Sequence, residues 1–304
     1  MRRRTTLLGA LACVALMGLP QAVSAQQSIL LRHQPQPRTR LHTLWWSEVT
    51  STIREGAPGV PALDSITVEA TTLHSYTTSV VGTRITSSVL RISHDSTRAR
   101  SRVPGGPWRD LGDERARSST ARVVVDDRLR VTDVEVLEGD SLTNRELQHY
   151  RAFASGLEFS LPEGPVAEGD TWAADIVVAL TRPLGLEGEG VLEGMPVEPE
   201  VLARSTITLD SVVARPTDTL AYLRVQGSFL PEAAAEGEAM SASLVGITGA
   251  FGGSFIWSTG WNAFVSGALR TRSTLTMERS EEMEQTIVEV TLSMDHSTRF
   301  QVRP

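Results

Sequence analysis

Alternation with a period of two constrains this chain more than any other feature. Ala203, Ser205, Ile207 and Leu209 alternate with Arg204, Thr206, Thr208 and Asp210. Ala221, Leu223, Val225, Gly227 and Phe229 alternate with Tyr222, Arg224, Gln226 and Ser228, and Val288, Val290, Leu292 and Met294 with Glu289, Thr291, Ser293 and Asp295. Successive side chains of a strand point to opposite faces. Each of these segments therefore has one dry and one wet face, which is the pattern of an antiparallel sheet covered on one side. Between them, Gly246 to Met277 reads as two long strands hinged at Ser258-Thr-Gly260. Its glycines at 249, 252, 253 and 267 predict the bulges or bends that a curved sheet requires.

The N-terminal part carries the same signal less cleanly. Arg38 to Ile53 has no breakers and is rich in Thr, Trp, Val and Ile, so it reads as one long strand. Trp45 and Trp46 then point to opposite faces, one buried and the other under a loop or a helix. Strand signals resume from Ser65 to Val80 and from Arg84 to Ile92, about a turn at Val81-Gly82-Thr83. Arg122 to Val136 reads as a hairpin around Asp126-Asp127. Gln27 to Pro37 is polar and contains proline, a lead-in or a short edge strand, and Glu55 to Leu63 is a loop.

One segment breaks the period. Thr143 followed by Glu146 fits a capping box, in which hydroxyl and carboxylate each satisfy an orphan backbone N–H. Leu147, Tyr150, Ala154 and Leu157, with Phe153 beside them, form one apolar stripe at helical spacing. Gly156 is a C-terminal stop and Pro162 forbids continuation. A lone short helix is marginal in water, so the stripe needs a sheet to cover it, while Arg145, Gln148 and Arg151 face solvent. The expected fold is mainly β: long, curved antiparallel sheets in two halves, half-barrel-like, with a single amphipathic helix between them. The boundaries are a leader over 1–25, an N-terminal β half over 26–140, the helix over 141–158 and a C-terminal β half over 159–304. One continuous domain over 26–304 is the alternative.

After the helix, a turn at Gly169-Asp170 leads into a strand opening on Trp172, which the pattern places in the core. The segment Gly164-Pro-Val-Ala-Glu-Gly-Asp-Thr-Trp172, behind a helix and between two β halves, resembles a group of uncharacterised exported bacterial proteins. More remotely, the plan is similar to lipoprotein-carrier half-barrels, in which a curved antiparallel sheet wraps helices and an apolar cavity. Those carriers normally use more than one helix, and this chain offers one. The resemblance implies a lipid or other apolar small molecule as ligand.

Residues 1 to 25 read as a secretory signal: Arg2, Arg3 and Arg4, an apolar run from Leu7 to Leu19, then Ala22-Val-Ser-Ala25 with cleavage ahead of Gln26. Lipidation at Cys13 is disfavoured, because Ala10-Leu11-Ala12-Cys13 sets leucine out of place for a lipobox. Thr5-Thr6 poorly continues a twin-arginine signal. Periplasmic or secreted localisation follows. The rest of the chain has no cysteine, so disulfides and thiol catalysis are excluded there. It has no second apolar stretch of membrane-spanning length.

The search for chemistry finds no catalytic, cofactor-binding or metal-ligating residue. The six histidines (33, 42, 74, 94, 149 and 296) show no metal-ligand spacing, and there is neither a nucleophile elbow nor a phosphate loop. Leu90-Arg-Ile-Ser-His-Asp-Ser-Thr-Arg98 echoes Leu292-Ser-Met-Asp-His-Ser-Thr-Arg299. Each is expected to end a long strand, with turn chemistry accounting for its polar residues, since strand neighbours alternate faces and cannot form a Ser–His–Asp chain. The glutamates of 183–200 and 231–243 match no calcium loop and read as solvated loops. Arg91 to Arg130 holds ten arginines against six acids, without the aromatic interleaving that nucleic-acid binding needs. The expectation is a non-enzymatic envelope protein that binds a lipid or apolar molecule. The alternative is a structural or interaction module with an envelope protein partner, and a hydrolase with an unrecognised site stands third.

Overall fold

The computed structural model describes residues 28–56, 65–111, 119–138, 160–179, 200–234, 242–281 and 286–304. The expected leader, the helix expected over 141–158 with its stripe from Leu147 to Leu157, His149, and most of both acidic excursions lie outside the described residues. What is described is strand, turn and extended chain, and it contains no helix.

Twelve strands form one antiparallel sheet. They are β1 (Arg40–Gly56), β2 (Ser65–Thr83), β3 (Ser87–Arg102), β4 (Arg109–Asp110), β5 (Thr120–Asp126) and β6 (Val131–Glu138), then β7 (Thr171–Ala179), β8 (Glu200–Arg215), β9 (Asp218–Ala234), β10 (Ala242–Ser258), β11 (Ala263–Glu281) and β12 (Thr286–Arg303). Their order is β6-β5-β3-β2-β1-β12-β11-β10-β9-β8-β7, with β4 beside β3. The chain meanders outward from β1 to β6 and back inward from β7 to β12. β12 then pairs with β1 from His42–Arg303 to Gly56–Glu289, so the two halves expected from sequence share one continuous sheet. No ladder joins β6 to β7 among the described residues, and the sheet is open rather than closed into a barrel.

The alternation read from sequence decides the faces. Ala203, Ser205, Ile207 and Leu209 of β8 are all buried, as are Ala221, Leu223, Val225 and Phe229 of β9. The same side of β10–β12 carries Ile247, Phe251, Phe255, Leu275, Leu292 and Phe300. Opposite them, arginines and acids pair in the open: Arg270 and Arg272 with Asp295, Arg224 with Asp210, Arg122 with Asp133 and Glu135. The local arginine excess between Arg91 and Arg130 is largely met in this way, with Arg91 on Glu138, Arg102 on Glu69 and Arg130 on Asp126.

Strands of this length, 19 residues in β2 and β11, run to roughly 60 Å, and the sheet bends along them. Two glycines mark how. A Cβ on Gly227 would lie 2.2 Å from the Phe251 ring, and one on Gly267 2.3 Å from the Phe255 ring. Each phenylalanine lies flat over the glycine paired with it on the next strand. Gly249 and Gly253 let the backbones of β10 and β11 approach closely, since a Cβ would meet the carbonyls of Arg272 and Ala268 at 2.2 and 2.1 Å. Gly252, expected to do the same, does not: its Cβ position is 3.5 Å from the nearest atom. An aromatic chain then fills the dry side, from Trp45 stacked on Phe300 at 5.7 Å, through Phe255 and Phe264, to fully buried Trp257.

Several readings need correction. Both echo segments lie inside long strands, β3 and β12, and not at their ends in turns, because the polar residues pair across strands instead of closing loops. Trp172 is half-buried, not core: β7 is an edge strand, so the indole packs on the core from one side and donates its N–H to the Ser160 carbonyl at 3.0 Å. Trp46 lies under the Arg299 guanidinium, 5.3 Å from the ring, on the wet face. β2 runs on through Val81–Thr83, across a bulge between Val80 and Gly82, so the turn falls at 84–86.

Candidate functional site

The lead-in before β1 is neither free nor a strand. Pro35 and Pro37 lack the N–H that a ladder needs, so residues 28–39 cannot pair continuously. They cross one end of the sheet as its floor. Ile29 pairs with Val166 through two backbone hydrogen bonds of 2.8 and 2.9 Å. His33 N–H donates to the Asp127 carbonyl in the β5–β6 turn, Asn262 Nδ2 in the β10–β11 turn donates to the Gln34 carbonyl, and Gln34 Nε2 donates to Ile85 in the β2–β3 turn. Two consecutive residues, His33 and Gln34, thus reach three turns from well-separated parts of the sheet, which holds those turns together at this end.

Residues 160–170 complete the floor from the other edge. Leu161 N–H donates to the Arg128 carbonyl, and Arg128 Nε returns a bond to the Leu161 carbonyl, both at 2.9 Å. Gly169, at φ 90°, donates to Leu209 at 2.7 Å, and the Asp170 carboxylate accepts from Ala167 N–H at 2.8 Å. Asp170 thus organises a turn, as its sequence predicts. Arg32 ties the two floor segments, contacting Asp127 at 3.2 Å and the carbonyls of Pro162 and Glu163.

Above the floor, on the dry side, lies a partly open hollow of about 70 Å3. Leu41, Trp45, Val80, Leu90, Leu129, Phe264, Phe300 and Val302 supply its apolar wall. Leu129 reaches it from the tight β5–β6 turn, where its φ of 66° is unusual for a branched side chain. The Asp126 carboxylate holds that turn by accepting from the N–H groups of Arg128 and Arg130 at 2.9 and 2.8 Å. The polar lining is His33, Thr43 and Thr78. His33 Nδ1 donates to the Asn262 carbonyl at 3.1 Å, and burial pulls the imidazole pKa down to about 4. Sequence reading missed His33, Thr78 and Asn262 as a group. The one available signal was the pair of prolines, which forces the segment out of any ladder.

Three other histidines share the dry face higher up. Thr97 Oγ1 bridges His74 Nδ1 at 2.8 Å and His94 Nε2 at 2.7 Å, with Tyr76 stacked on His94 at 4.7 Å. His296 Nε2 meets Ser47 Oγ at 2.7 Å and Thr298 Oγ1 at 3.0 Å, and burial lowers its pKa to about 4. The two echo segments therefore do the same thing: each histidine bonds the threonine that follows it. In β3 the bulge at Asp95, which has no partner in the register, absorbs the extra residue.

Neither arrangement is a nucleophile's. Asp95 lies on the opposite face from His94. There it accepts from Thr77 Oγ1 at 2.8 Å, while His42 Nδ1 sits 3.2 Å from the same hydroxyl. That hydroxyl has a single proton and gives it to the carboxylate, so the imidazole is a donor here and not a base. Around Ser47 and His296 the backbone lies in the β1–β12 ladder, which leaves no convergent N–H groups for an oxyanion among the described residues. Among the described residues no cluster of three or more metal-ligating side chains forms.

No family model matches this chain, and no curated protein matches it. Among solved structures it is similar to an outer membrane channel from Pseudomonas putida F1, at 8% identity and a TM-score of 0.26, over 89% of this chain and 98% of that one. A score at that level establishes neither a shared fold nor a shared role.

Proposed function

We propose that this is an exported, non-enzymatic protein of the cell envelope whose curved sheet cradles an apolar ligand, a lipid or other aliphatic chain, on its dry face. One observation carries the reading: an apolar hollow, partly open, sits on the dry side of a sheet whose other face is studded with arginine–carboxylate pairs. That polarity is the inverse of a membrane-spanning barrel, whose strands turn apolar residues outward to lipid. It supports a water-facing exterior and a ligand held within. A hollow of about 70 Å3 is well below the several hundred Å3 of pockets that enclose a whole small molecule, so it takes the end of a chain.

Native mass spectrometry of the protein purified from envelope extracts tests this. The expected spectrum contains an adduct that is lost on organic extraction and identified as lipid. Protein that is bare under conditions preserving its fold would overturn the reading.

A further inference from the structure

Among the described residues, two polar atoms on side chains that line the hollow have no partner, and they restrict what it holds. His33 is 5% exposed, and its Nε2 is buried without a hydrogen bond. Thr78, 8% exposed, has its Oγ1 in the same condition. Both residues line the hollow. A carbonyl only accepts, so the bond to Asn262 places the imidazole proton on Nδ1. Nε2 therefore offers a bare lone pair. The depressed basicity of the buried ring keeps it neutral at neutral pH. Buried acceptors left unmade are costly and rare, and the remaining wall of Leu41, Val80, Leu90, Leu129 and Phe264 has no donor to offer.

We propose that the hollow receives the hydroxyl-bearing end of a neutral aliphatic molecule, its O–H donated to His33 Nε2 and its oxygen shared with Thr78 Oγ1. This rests on the cradle reading and names which end of the chain enters. A cationic headgroup finds no carboxylate among the lining residues, and an anionic one would face the lone pair of Nε2.

The test uses the full chain and two isomeric probes, 1-hexanol and methyl pentyl ether. They match in size, but the ether oxygen cannot donate. Calorimetric titration should show hexanol binding roughly fivefold tighter, the worth of one net hydrogen bond. The 15N resonance of His33 Nε2 should move with hexanol and stay put with the ether. Thr78→Val and His33→Phe should each shrink the preference. If His33→Phe does not fold, the resonance in the unaltered protein still decides. Equal binding of both probes, with an unmoved resonance, would overturn the hydroxyl reading and leave the apolar cradle standing. Binding of neither would overturn both.

Discussion

At the scale of single residues, the buried histidines make acid the condition that finds this fold out. The imidazole of His33 titrates near 6.5 when unfolded and about 4 when folded, so the unfolded chain binds the proton first. Stability is complete above about pH 6.5 and drains away as pH falls toward 4, by about 3 kcal/mol for a shift of this size. His296 is lowered for the same reason and acts in the same window. Asp218 and Asp295 have pKa values lowered from 3.8 despite desolvation, through bonds from Ser258 and Gly260 and from Arg270 and Arg272 respectively. Their contributions are lost only below that value. The melting temperature of the unaltered protein should therefore fall between pH 6.5 and 4, and His33→Phe should flatten that slope; an unchanged slope would refute the assignment. Little of this was legible in the sequence. His33 sits in an aperiodic, proline-broken stretch, and its environment is made by Asn262 and Asp127, far away along the chain.

At the scale of elements, sequence reading did best, because half-burial imprints alternation directly. β8 and β9 bury the residues their period of two nominates, and the hairpin at Asp126 falls where the two acids put it. It did worst where a side chain's fate depends on strand position within the sheet. Trp172 looks like core by composition and is half-buried because β7 is an edge. The curvature devices were half legible: glycines at 249, 253 and 267 are needed, but only the register shows that a phenylalanine ring covers Gly227 and Gly267. Gly267→Ala should cost about 1–3 kcal/mol or more, since its Cβ would strike both Phe255 and Phe300. Gly82→Ala, with open space at the same position, should stay within about 0.5 kcal/mol. Chemical denaturation of the two variants compares them directly, and equal costs would mean that the rings do not hold the bend.

At the scale of the whole molecule, the joint between β1 and β12 dominates. Removing residues 286–304 would strip the ladders from β1 and β11 at once and leave two long unpaired edges in the middle of the sheet, a template for aggregation. The truncated chain should sediment as aggregate and not persist as two folded halves; a soluble monomer with native circular dichroism would contradict this. The same joint bears on how the protein is made. Synthesis delivers a chain from one end, and β1, the first of the twelve described strands to emerge, has β12, the last of them, as a neighbour. From β1 to β3 and again from β7 to β12 the meander lets each strand dock on its predecessor as it arrives, but the centre of the sheet stays unsealed until β12 is through. Nascent chains of this protein thus spend nearly their whole biogenesis with a central seam exposed, and they should depend on a holding chaperone for that interval.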